Sequence, residues 1–233
     1  LPPDKRIKEL LPESFVLYRP KDIVSGDFYW VEEVGDKVVF AAVDCTGHGV
    51  PGAFMSLVGH NGLNQAVKER GNTRPSDVLH DLDRMSYEAL HKDRDQFMRD
   101  GMDMALCALD PKRMVLEYAG ANCPLYLMRG DDIQQYAPDK RPIGGADPGD
   151  KRFTDHRIEL RKGDLIYIFS DGYADQFGGP NGKKFLQRRF RELLISIRHE
   201  TMERQKALLL EALNKWRGAQ EQVDDILVMG MRA

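Results

Sequence analysis

Only three cysteines, Cys45, Cys107 and Cys123, occur in the 233 residues, and no two of them form a C-x-x-C pair. That scarcity excludes a disulfide-stapled scaffold and a thiolate zinc site, and it points to a reducing, cytoplasmic setting. Long hydrophobic runs are missing as well. The longest, such as Val38 to Val43 and Leu165 to Phe169, are strand-sized, far short of the ~20 residues a membrane helix requires. No direct membrane contact is therefore expected. Nor does one charge dominate: Lys and Arg number 34 against 37 Asp and Glu, a formal net charge of −3, so no basic field draws the chain to nucleic acid. The opening Leu-Pro-Pro-Asp-Lys-Arg holds neither a signal-peptide core nor an initiator Met, and the chain reads as a segment of something longer.

What is present is enough apolar material, 42% of residues, to build a sizeable core. Strand-like stretches come first: Ser14 to Tyr18, Phe28 to Val34 and, after Gly35-Asp36, Lys37 to Val43. From Pro51 the spacing becomes helical, with Phe54, Leu57, Val58, Ala66 and Val67 predicted on the buried side. A second helix opens at Thr73, Pro75 and Ser76 and carries Val78, Leu79, Leu82 and Met85 as its stripe. Strands return at Met102 to Leu109, Met114 to Tyr118 and Leu125 to Met128, and again over Ile158 to Phe169, interrupted by Lys162-Gly163-Asp164 and read as hairpins. Two amphipathic helices, around Phe190 and Leu208, precede a last strand, Ile226 to Met231. Strand and helix blocks segregate rather than alternate, which predicts an α+β domain of antiparallel sheets covered by helices.

Chemistry enters through the aspartates. Asp27 precedes Phe28-Tyr29-Trp30, Asp44 ends the Val38 to Val43 run, Asp171 follows Leu165 to Phe169, and Asp224 and Asp225 open Ile226 to Met229. A single Asp at a strand end is ordinary turn chemistry, but four such ends are a pattern. If they converge, two carboxylates ~4 Å apart at an effective dielectric of ~20 repel by about 4 kcal/mol, so the cluster must protonate or bind a cation. Hard oxygen donors select Mg²⁺ or Mn²⁺. The segment Thr46-Gly47-His48-Gly49-Val50-Pro51-Gly52 follows Asp44 and opens a helix, which places His48 beside the carboxylates as a candidate proton donor.

Two other literal motifs fail on context. Gly47-x-Gly49-x-x-Gly52 has the dinucleotide spacing, but a second helix follows where the fold would need a parallel strand, and Asp44 would repel a pyrophosphate. Cys107-x5-Arg113 has the cysteine-phosphatase spacing, but Cys107 lies within a predicted strand whose amides belong to its ladder.

Taken in order, Val24-Ser25-Gly26-Asp27-Phe28-Tyr29-Trp30, Asp44-Cys45-Thr46-Gly47-His48-Gly49, Ala119-Gly120-Ala121-Asn122, Ser170-Asp171-Gly172 with Asp175, and Gln222-Val223-Asp224-Asp225-Ile226 span nearly the whole chain. The set resembles the metal-dependent protein phosphatases of the protein phosphatase 2C type, in their bacterial SpoIIE-like branch. The resemblance implies an αββα sandwich of two antiparallel β-sheets flanked by helices, with residues 1–13 the end of an incoming linker or helix and 14–233 the phosphatase domain. It implies a centre of two Mn²⁺ or Mg²⁺ ions. Asp44 would bridge them, the Cys45 carbonyl would add an oxygen, Asp171 and either Asp224 or Asp225 would bind the first ion, and Asp27 would hold the waters of the second. Asp175, with Asp103 or Asp100, resembles a third-metal position known in some relatives. His48 looks like the general acid, and Arg19 or Lys21 stands where a phosphate contact is expected.

The implied activity is a serine/threonine phosphatase that uses metal-activated water on a phosphoester. Its implied partner is a small phosphoserine or phosphothreonine regulator similar to an anti-sigma-factor antagonist, under control of an N-terminal sensor region outside this chain. The short stretch Asp4 to Leu11, with Ile7, Leu10 and Leu11 at helical spacing, is expected to pack on the helix from Pro51 to Arg70, with pairing into a homodimer through these helices as the plainer reading. A catalytically silent binding module of the same fold is the alternative to an enzyme, one that eroded acidic positions would betray.

Overall fold

The computed structural model describes residues 1–47, 49–90, 101–145 and 152–233. Two five-stranded antiparallel sheets form its middle. One has the order β1 (Ser14–Arg19), β12 (Ile226–Arg232), β9 (Leu165–Phe169), β6 (Leu125–Arg129), β7 (Asp132–Tyr136). The other runs β2 (Phe28–Val34), β3 (Lys37–Cys45), β4 (Met102–Asp110), β5 (Val115–Ala121), β8 (His156–Glu159). Along β3, Val38, Phe40 and Ala42 face the other sheet, while Val39, Ala41 and Val43 face helices. Both faces are buried, so the central strands read as continuous apolar runs and not as an apolar/polar alternation.

Helices α2 (Gly49–Leu63) and α3 (Pro75–Leu90) cover the β2–β8 sheet, and α5 (Gln187–Ile197) and α6 (Met202–Arg217) cover the β1–β7 sheet. The result is the αββα sandwich, with one core between the sheets and one under each helix pair. Among the described residues no helix is long and apolar enough to cross a membrane. The three cysteines are buried thiols, and burial pushes the Cys107 thiol well up, in keeping with a packed residue of β4.

Three elements differ from the sequence reading. Phe54 and Leu57 of α2 are exposed, and the helix buries Gly52, Met55, Gly59, Gly62 and Leu63 instead. A Cβ at Gly62 would come within 2.1 Å of Leu82 Cδ1, and one at Gly59 within 2.9 Å of Met102 Sδ. The helix seats itself by close backbone approach, which hydrophobic spacing does not register.

The stretch around Lys162-Gly163-Asp164 is no hairpin: β8 pairs with β5 and β9 with β12 and β6, so the turn carries the chain from one sheet to the other. The first helix, α1 (Asp4–Leu10), sends Ile7, followed by Leu11, into the core between the sheets rather than onto α2. Leu1 lines a cleft of about 270 Å³ with Ser56, Leu57 and His60 of α2 and with Tyr18, Ser25, Asp27 and Phe28.

Candidate metal centre

Strand register brings the acidic residues to one end of the sandwich. Asp44 is the next-to-last residue of β3, directly across from Asp103 of β4. Asp171 follows β9 and opens α4 (Gly172–Asp175), Asp224 and Asp225 lead into β12, and Asp27 ends the loop entering β2. The loop carrying Asp27 is pressed against the loop after Asp44. A Cβ at Gly26 would lie 2.5 Å from the Gly47 carbonyl oxygen and one at Gly52, in α2, 2.2 Å from it, so glycine at both positions is what lets the two loops and the start of α2 meet.

The field within this cluster is strongly negative. Asp27 is 3% exposed. Its carboxyl is pushed up to about 8 by burial first, then by Asp225, Asp224 and Asp171, against the pull of the Ser170 hydroxyl. Burial and then Asp27, Asp171, Asp224 and Asp103 hold Asp44 well above the carboxylate range. Asp171 keeps surface open to solvent, yet the protein packed around it and the charges of Asp175, Asp224 and Asp103 raise it to about 6, with Lys184 pulling the other way. Asp103 is raised by burial and restrained by the Asn122 amide, which donates to its Oδ1 at 2.8 Å.

Adjacent Asp224 and Asp225 part company. Asp225 is 2% exposed and accepts the Lys21 N–H at 2.7 Å on Oδ1 and the Gly26 N–H at 2.8 Å on Oδ2, so its carboxylate holds the 21–27 loop in place. Asp224 is half-buried, contributes to the field at Asp27, Asp44 and Asp171, and accepts the Asp225 N–H on Oδ1.

Cys45 is buried behind Asp44, its thiol pushed up by burial and by Asp27 and Asp44. Asp175 receives the Lys184 ammonium at 2.5 Å. Arg19 donates to Asn214 of α6 at 3.0 Å, and Lys21 contributes its backbone N–H to Asp225. His48 and Asp100 lie outside the described residues.

The fit to a divalent ion rests on one atom and its company. Asp27 Oδ2 is buried with no hydrogen-bond partner among the described residues, an arrangement that costs free energy unless a cation or proton satisfies it. The carboxylates crowded around it, Asp44, Asp171, Asp224 and Asp225, offer hard oxygen, which suits Mg²⁺ or Mn²⁺. Among the described residues no three ligating side chains are already drawn into a closed cage; the carboxylates are close enough to raise one another and still apart.

Sequence reading missed four contributors. The Ser170 hydroxyl bonds Asp27 and also accepts the Leu227 N–H at 3.0 Å. Asn122 orients Asp103, Gln222 ties the Arg19 and Asp224 carbonyls together at 2.8 Å each, and Lys184 enters from the short hairpin that follows α4. Ser170, Asn122 and Gln222 each lie within a motif already quoted, so their signal was present, whereas Lys184 had none.

Comparison with known proteins agrees with the geometry. A family model described as Stage II sporulation protein E (SpoIIE) matches residues 35–233. The Phosphoserine phosphatase RsbU of Bacillus subtilis (strain 168) is 28% identical over 159 residues, 67% of this chain and 44% of that protein, so the chain spans less than half of this curated relative. Among solved structures, the SiaA-PP2C domain of Pseudomonas aeruginosa is 31% identical with a TM-score of 0.90, over 99% of this chain and 90% of that one. The PP2C phosphatase domain, with a fragment of the regulatory domain, of the cell fate determinant SpoIIE from Bacillus subtilis shares the fold, at 19% identity and a TM-score of 0.75 over 95% and 63% of the two chains.

Proposed function

Because this chain belongs to the SpoIIE family, we propose that it is a divalent-metal-dependent phosphatase that hydrolyses phosphoserine or phosphothreonine esters on a protein. The observation that carries the reading is the crowding of Asp27, Asp44, Asp171 and Asp224 at one end of the sandwich, with Asp27 Oδ2 buried and unpartnered. These four side chains and the Cys45 carbonyl would hold two Mn²⁺ or Mg²⁺ ions. Of the adjacent pair, Asp224 is the ligand and Asp225 the anchor of the Asp27 loop, because the Asp225 oxygens already accept backbone N–H groups. Ions bound there supply Lewis acidity toward the phosphoryl oxygens and a water acidified enough to serve as nucleophile near neutral pH.

The protein's own part is to place oxygens. Ser170 and Asp225 fix Asp27 and its loop, Asn122 fixes Asp103 beside Asp44, and α4 holds Asp171 at the mouth, open to solvent for an incoming ester. His48 is assigned protonation of the departing seryl or threonyl oxygen, worth ~10²–10⁴-fold for a poor leaving group. A protein substrate is favoured by the exposed apolar side chains beside this end, Ile23 and Val24 on the Asp27 loop and Val50, Phe54 and Leu57 on α2. A small phosphorylated regulator in the cytoplasm fits this reading.

The test is hydrolysis of a phosphoserine peptide and of an aryl phosphate by the purified chain. Turnover of both in Mn²⁺ and of neither in EDTA is expected, with His48→Ala impairing the peptide far more than the aryl ester. No turnover of either substrate in Mn²⁺ would leave a silent binding module.

A further inference from the structure

Asp171 and Asp175 sit one helical turn apart on α4, the Asp175 N–H donating to the Asp171 carbonyl at 3.0 Å, so both carboxylates rise from the same face. Two carboxylates so placed, with Asp224 and Asp103 adding to the field, require positive charge. Lys184 supplies it. Its Nζ lies 2.5 Å from Asp175 Oδ2 and 6.0 Å from the centroid of the Phe177 ring, and its charge also acts on Asp171.

This lysine is not a loose surface group. It pairs with Phe177 in the hairpin β10 (Phe177–Gly178) and β11 (Lys183–Lys184). On one side of the hairpin the Phe185 N–H donates to the Gln176 carbonyl at 2.9 Å and the Leu186 N–H to the Ala174 carbonyl at 2.7 Å. On the other the Gly179 N–H donates to the Trp216 carbonyl at 2.7 Å, the Trp216 indole to the Gln176 carbonyl at 3.1 Å and the Gln176 amide to the Glu221 carbonyl at 2.9 Å. The backbone under Lys184 is thereby tied to α4, which carries Asp175, and to α6.

We infer that Lys184 is a built-in cation of the acidic cluster: its ammonium occupies, at Asp175, the place where a further divalent ion would otherwise bind. The inference rests on the metal-dependent reading above and refines it, since the lysine then sets how many ions the centre accepts. An ammonium also differs from an ion in being covalently supplied, so that part of the cluster is neutralised at any metal concentration.

Counting bound Mn²⁺ tests this without reference to turnover. Free Mn²⁺ is read by its electron paramagnetic resonance signal during titration of wild type, Lys184→Gln, Lys184→Arg and the double variant Lys184→Gln/Asp175→Asn. Lys184→Gln is expected to bind one more ion per chain than wild type, Lys184→Arg to keep the wild-type count, and the double variant to return to it. Lys184→Met, an uncharged side chain of similar reach, repeats the measurement if glutamine disturbs the hairpin. Equal counts and affinities in wild type, Lys184→Gln and Lys184→Met would overturn the inference while leaving the metal centre intact. Failure of wild type to bind Mn²⁺ would overturn the metal reading itself, and this inference with it.

Discussion

The two ends of β9 place an aspartate in opposite circumstances. Asp164, just before the strand, is 2% exposed, yet the Arg129 guanidinium grips it with Nε at 2.9 Å and Nη2 at 2.6 Å, and the Arg161 N–H adds a bond at 2.8 Å. Burial works against its charge, but these donors prevail and hold the carboxyl below its ordinary value. Asp171, beyond the other end, is raised to about 6 by the protein packed around it and then by the charges of Asp175, Asp224 and Asp103, with Lys184 pulling the other way. The same side chain thus stabilises the fold at one end and opposes it at the other. The opposed end is the one with unmet demand for cations, and unmet demand of this kind marks sites of chemistry rather than of architecture.

The comparison breaks hardest at Asp44. Asp44→Asn should reduce Mn²⁺-dependent phosphatase activity to about a thousandth or less while leaving the protein as stable as wild type, or more so, in EDTA, because one repelling charge is gone. Steady-state rates and thermal melting read the two halves, and a near wild-type rate would remove Asp44 from the centre. At the paired end Asp164→Ala should do the reverse, costing about 2–3 kcal/mol and lowering Tm by roughly 5–10 °C, with the metal titration unchanged in chain that remains folded.

Acidity sharpens the contrast with opposite signs. A carboxyl raised in the folded state, such as Asp27 at about 8 or Asp171 at about 6, adds stability that is complete below its unfolded value of ~3.9 and is lost as pH climbs through 6 and 8. A lowered one, such as Asp164, adds stability above ~3.9 that is lost as pH falls through its folded value. The metal-free protein should therefore lose Tm between pH 5 and 8.5, and the rise in Tm on adding Mn²⁺ should grow over the same range. A Mn²⁺ increment independent of pH would contradict the assignment of these carboxyls to the ion site. The smallest effect is expected from Leu10→Asp, at the partly buried edge of the core between the sheets: a loss of about 1 kcal/mol with the Mn²⁺ titration midpoint unmoved. A shifted midpoint would show that α1 communicates with the metal end.

Legibility followed the range of each interaction. The aspartates at strand ends could be read from sequence because an apolar run and its terminal residue are neighbours in the chain. The anchoring of Asp225 could not, since the amides that claim its carboxylate belong to Lys21 and Gly26, about two hundred positions away. Hydrophobic spacing put Phe54 and Leu57 inside and left Gly59 and Gly62 unremarked, because it counts side chains, whereas α2 is seated by their absence. The chain's passage between sheets at Lys162-Gly163-Asp164 looks locally like a hairpin turn. Only the pairing of β9 with β12 and β6 distinguishes it. Lys184 comes from a strand of two residues, too short to leave a periodic trace.

The pairing of β1 with β12, Ser14 opposite Met231 through to Arg19 opposite Ile226, bears on the order of folding. The hairpins β2–β3 and β4–β5 close locally, so they form early and at small entropic cost. The other sheet joins its first strand to its last across more than two hundred residues, the slowest kind of closure. During synthesis Asp27 and Asp44 emerge long before Asp224, and their mutual repulsion is not yet compounded by the acidic residues of the later strands. The acidic end is therefore expected to be the last part of the molecule to be assembled, and on the proposed reading ion uptake should report completed folding: in refolding experiments, Mn²⁺ binding should trail the recovery of strand signal instead of accompanying it.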